Sequence, residues 1–215
     1  MKKQFLKILI LFMSFALIYS PINTVAKEKV YRQSISQSSV HFNNSFRKLW
    51  IDHTIWTRSY IVSAIGGLED QEEVLKRLLK NQDDIGNAIK PFYGQAAGNQ
   101  LAKLLREHIL IAGKVVDAAK SGNQEYLKKY NVEWYKNADD IADFLSKANP
   151  NWNNKELKEL LYMHLKLVTD QVVARIKKDW NTEISAYDKG EDHIITMADT
   201  LSNGIIKQFP NKFTD

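Results

Sequence analysis

KNQDDIGNAI, Lys80–Ile89, returns as KNADDIADFL, Lys136–Leu145, 56 residues downstream. The same offset carries Leu101, Leu104, Leu105 and His108 onto Leu157, Leu160, Leu161 and His164, and Val116 onto Val172. One ungapped register thus spans two successive segments, which marks an internal repeat. Upstream, DHTIWTRSYIV (Asp52–Val62) brings His53 into line with His108 and His164. Downstream, EDHII (Glu191–Ile195) sets His193 in line with Asp84 and Asp140. The expected unit is a pair of helices of about 55 residues, present three times.

Apolar residues recur at helical spacing throughout, and stop signals divide them. Helices are expected over 42–65, ended by Gly66-Gly67, and 69–90, closed by Pro91 and Gly94. Others follow over 95–120, ended by Ser121-Gly122, and 124–148, ended by Asn149-Pro150. The last two are expected over 154–181 and 187–209, the latter stopped by Pro210. No strand pattern competes. The fold class is all-α, a six-helix bundle of three tandem two-helix repeats. Three such units could stack as hairpins or wrap into one bundle.

The front of the chain reads differently. Lys2, Lys3 and Lys7 precede an apolar run from Ile8 to Ile18, Pro21 breaks it, and Thr24-Val25-Ala26 offers a cleavage site. That is the pattern of a secretory signal peptide over 1–26. The run is shorter than the ~20 residues of a membrane span. Residues 27–41 are polar and read as an exposed leader, leaving 42–215 as a single helical domain. The expected location is extracytoplasmic, secreted or attached to the cell envelope, with no transmembrane segment after cleavage. Cysteine is absent, which excludes disulfides, thiolate metal sites and a thiol nucleophile. Net charge is +5, and three of those charges lie in the first 26 residues. Lys and Glu are interspersed without a basic block, which argues against a nucleic-acid partner.

On each first helix the histidine sits in the middle of the apolar stripe. His108 shares its sector with Leu101, Leu104, Leu105, Ala112 and Val115, and His164 with Leu157, Leu160, Leu161, Val168 and Gln171. His53 shares its own with Phe46, Leu49, Trp50, Thr57 and Tyr60. A buried polar group costs about 1–3 kcal/mol unless it is partnered. On the second helices Asp84, Asp140 and His193 lie at the edge of the apolar face, whereas Asp83 and Asp139 point outward or toward a neighbouring helix. Two readings follow. His53, Asp84, His108, Asp140, His164 and His193 converge on one or two metal ions, the ligand types suiting zinc, iron, copper or manganese. Alternatively they pair as buried His–Asp contacts that fix helix register in a structural or protein-interaction module, with no metal. The Glu-x-x-His of ferritin-like di-iron sites is absent, as are HExxH, phosphate loops and a GxSxG elbow. Adjacent Asp residues diverge by about 100° on a helix, which disfavours an acid/base pair. The five tryptophans, Trp50, Trp56, Trp134, Trp152 and Trp180, read as packing residues.

DHTIWTRSYI, NQDDIGNAIKPFYG, EHILIAGKVVDAAK and MADTLSNGIIKQF together resemble a group of uncharacterised secreted all-helical proteins of Gram-positive spore-forming bacteria. The resemblance spans about residues 45–213 and implies an exported helical protein without implying an activity. Three histidines on separate helices are also loosely similar in arrangement to the DinB-like metal-binding helical bundles.

Overall fold

Ser36 opens the first helix by accepting the backbone N–H of Ser39 at 3.1 Å. In this computed structural model, residues 36–214 are described; the signal-peptide expectation and most of the leader lie outside them. Five α-helices follow: α1 (Gln37–Gly66), α2 (Gln71–Ser121), α3 (Gln124–Ala148), α4 (Asn154–Ile176) and α5 (Trp180–Gln208), then a 3-10 turn, Pro210–Lys212. There is no strand among the described residues. Side-chain caps recur at the turns, where Asn123, Asn153 and Asp179 accept from the N–H three residues on. Such bonds satisfy backbone donors that a helix start leaves open.

Three boundaries differ from expectation. Helix α1 begins at Gln37, so 37–41 are helix rather than leader. The turn between α4 and α5 falls at Lys177–Asp179, earlier than the expected 182–186. It has neither Gly nor Pro; Lys178 takes the left-handed conformation (φ 59°) instead. Third, the expected helices over 69–90 and 95–120 form one element, α2, which runs through Pro91.

That element is not straight. Gly94 has φ 83° and ψ 172°, a region essentially open only to glycine. Twelve residues of straight helix would separate Gly86 from Gly98 by about 18 Å. Instead, a Cβ placed on Gly86 would sit 2.5 Å from the Gly98 carbonyl oxygen and 2.7 Å from Ala102 Cβ. Helix α2 therefore folds back at Gly94 into two limbs, 71–93 and 95–121, in backbone contact. Gly86→Ala is expected to lower stability by about 1–3 kcal/mol, although alanine is the better helix former by about 0.5–1 kcal/mol. Urea denaturation checks the sign, and a stabilised variant would mean the limbs do not touch there.

Helix α1 packs on α2 and on α5, α2 on α3, α3 on α4, and α4 on α5. The described helices therefore close into a ring. The core has two apolar clusters. One contains Phe46, Trp50, Leu105, Trp134, Leu161 and Ile194. The other contains Tyr60, Ile61, Leu78, Ile109, Val116 and Val172. No described helix is long and apolar enough to cross a membrane.

Candidate functional site

Each histidine of interest lies at the junction of these clusters along its own helix. His53 falls between Trp50 and Tyr60, His108 between Leu105 and Ile109, and His164 between Leu161 and Val172. All three are buried, at 2%, 4% and 4% exposure. The His164 ring is central: its centroid is 5.5 Å from that of His53 and 6.1 Å from that of His108. The sequence-based expectation that three imidazoles share one depth therefore holds.

Their partners differ from those expected. Trp134 Nε1 donates to His108 Nε2 at 3.1 Å. His108 must then carry its proton on Nδ1, which donates to Asn137 Oδ1 at 2.8 Å. Both ring nitrogens of His108 are thus engaged by neutral groups. Gln82 Nε2 lies 3.3 Å from His53 Nδ1 and also reaches the Leu78 carbonyl and Asn81 Oδ1. Burial drives all three imidazoles toward the neutral form: His53 is lowered to about 3 and His108 to about 4. His164 is held well below the ordinary value by burial first, then by the nearness of His53, His108 and His193.

The two acids take no part. Asp84 binds Lys80 at 2.7 Å and Asp140 binds Lys136 at 2.6 Å, each four residues back on its own helix. Their carboxylates are 30% and 46% exposed. Asp83 bridges to the other limb of α2, at Arg106 (3.1 Å), and Asp139 on α3 bridges to the Tyr162 hydroxyl on α4 (2.7 Å). The buried pairs are therefore histidine with amide and indole, not histidine with aspartate. Among the described residues no group of three or more His, Asp or Glu side chains is arranged to hold a metal ion.

His193 is the informative correction. Its Nε2 donates to the Leu160 carbonyl at 2.8 Å. Asn81 Nδ2 donates to the Leu49 carbonyl at 3.0 Å, and Asn137 Nδ2 to that of Leu104 at 3.1 Å. In every case the accepting carbonyl lies four residues before a core histidine. His193 therefore occupies the register of Asn81 and Asn137, three residues from the expected match to Asp84 and Asp140.

No family model matches the chain, and no curated protein or solved structure does. Function must be read from the site alone.

One buried group went unnoticed in the sequence. Glu183, in the first turn of α5, is 2% exposed. Arg58 grips it in a fork at 3.1 and 3.0 Å, Gln171 Nε2 donates at 3.2 Å, and Arg175 lies 3.7 Å away. Burial by itself would raise this carboxyl; the bonds from Arg58 and Gln171 and the charges of both arginines hold it below its usual value. The guanidiniums of Arg58 and Arg175 lie over the rings of Tyr187 and Trp180. Gln171 shares the expected sector of His164, so this cluster adjoins the histidine layer.

Proposed function

We propose that the protein is an exported structural or protein-interaction module of the cell envelope, built from three helical hairpins of about 55 residues. A neutral polar layer sets the register of those hairpins. One observation carries this reading: the threefold recurrence of a side-chain bond, from Asn81, Asn137 and His193, to the carbonyl four residues before a core histidine. A helix that slipped by one residue would strand a buried carbonyl and a buried donor together, at about 1–3 kcal/mol each. A polar residue that specifies register in this way is the best-attested use of buried polarity in helical assemblies.

A second reading, a transition-metal site of zinc, iron, copper or manganese, draws support from the ring separations. Imidazoles bound to one ion at about 2.0–2.1 Å have centroids roughly 5–6.5 Å apart. The 5.5 and 6.1 Å spacings around His164 fall in that range. Binding would require His108 to surrender Trp134 or Asn137, and would use His53, His108 and His164 without the aspartates.

Elemental mass spectrometry on untagged, signal-free protein separates the two, with His108→Ala and His164→Ala alongside. The register reading expects no stoichiometric metal before or after titration with each ion, and loss of about 2 kcal/mol or more in both variants. Near-stoichiometric metal in the wild type, absent from both variants, would replace it with the metal reading.

A further inference from the structure

Two cavities share a wall beside α1. The larger, about 80 Å³, is lined by apolar side chains that include Tyr60, Ile61, Ile109, Val116 and Val172. It approaches the surface where Leu127 and Thr169 are half-buried and Val173 is exposed. The smaller, about 20 Å³, is bordered by Thr54, His164, Gln171 and Tyr187. Thr57 and Val168 line both. Thr57 Oγ1 is buried and lacks a hydrogen-bond partner among the described residues. No hydrogen bond among them reaches the His164 ring. A buried hydroxyl without a protein partner, at the junction of an apolar chamber and a polar pocket, is unusual, since such groups are normally satisfied.

We infer that the two cavities form one binding site for a small uncharged amphipathic molecule, a short-chain alcohol. The apolar chamber takes its hydrocarbon body and Thr57 Oγ1 bonds its hydroxyl. Size sets the class. An apolar cavity of about 150 Å³ stays dry and accepts benzene, so about half that volume suits a body of roughly three or four carbons. Charge is excluded by the lining: neither cavity is bordered by an Asp, Glu, Lys or Arg side chain. Pockets of this composition, mostly apolar with a few converging polar atoms, are the usual form of small-molecule sites.

Methyl NMR on the intact protein tests this with 1-butanol as probe and xenon as an apolar control. Butanol should give saturable shifts at Ile61, Val115, Val116 and Val172. Thr57→Val, nearly isosteric, should weaken butanol about 3–10-fold and leave xenon binding unchanged. Ala112→Leu, which fills the chamber, should abolish the response to both. Absence of saturable butanol shifts, or equal butanol affinity in Thr57→Val, overturns the assignment. If Thr57→Val fails to fold, the wild type still decides, because butanol must bind more tightly than butane, and equal or weaker binding rejects the hydroxyl contact.

Discussion

Acidification from pH 6.5 toward 4 is expected to unfold the protein in one cooperative step that takes up about three protons. In the unfolded chain His53, His108 and His164 would titrate near the ordinary value of about 6.5. In the fold, burial holds His53 near 3, His108 near 4 and His164 well below normal. The unfolded state therefore binds more protons throughout that window. The stability from keeping these rings neutral is fully present above pH 6.5 and drains away as the pH falls through it. Each group contributes about 1.4 kcal/mol per pH unit, so three together approach roughly 4 kcal/mol per unit. Against a total of about 5–15 kcal/mol, the midpoint should lie near pH 4–5. Urea midpoints by circular dichroism at half-unit steps from pH 8 give the slope, and His164→Gln should reduce it by about a third. A midpoint unchanged between pH 7 and 5 would refute a buried neutral layer.

Glu183→Ala is expected to be the most damaging single substitution outside the apolar core. Removing one partner of a buried ion pair typically costs about 3–5 kcal/mol, because the other partner's charge is left uncompensated. Here two guanidiniums, Arg58 and Arg175, would be left facing the same void. For a domain of this size the loss corresponds to a fall in Tm of roughly 10 °C. Replacing the pair together, as Arg58→Met with Glu183→Leu, should recover most of it, since a well-packed apolar pair often equals a buried ionic one. A Glu183→Ala loss below about 1 kcal/mol would place the cluster among ordinary surface pairs.

The helical class and the depth of the three histidines were legible because both are periodic. A histidine flanked by Leu104, Leu105 and Val115 on one stripe must point inward whatever its partner. The partners were harder. In K-N-x-D-D-I the acids draw attention, yet Lys80–Asp84 and Lys136–Asp140 are i,i+4 pairs, a spacing that keeps both charges on the outside of one helix. The uncharged Asn81 and Asn137 turned inward, and an amide has no signature apart from its register. Holding the offset strictly at 56 would have set His193 on Asn137; allowing slack to match an acid lost it. The turn at Lys177–Asp179 was hidden because Lys178 takes a conformation usually marked by glycine. Its one cue was Asp179 three residues before Thr182, a helix-start spacing. With that boundary misplaced, Glu183 was lost as well, since it belonged to no expected helix.

Ring closure separates the order of the helices in sequence from their order in space. The aromatic rings of Phe42 and Phe213, near the two ends of the described chain, lie 5.2 Å apart, and Arg47 on α1 grips Asp199 on α5. The seam between first and last helix is thus built like the seams between consecutive ones. A chain with those ends joined and reopened at the exposed turn around Gly122 would keep all these packings. The described helices are in effect a circle, and where the chain enters and leaves it is a matter of connectivity rather than packing.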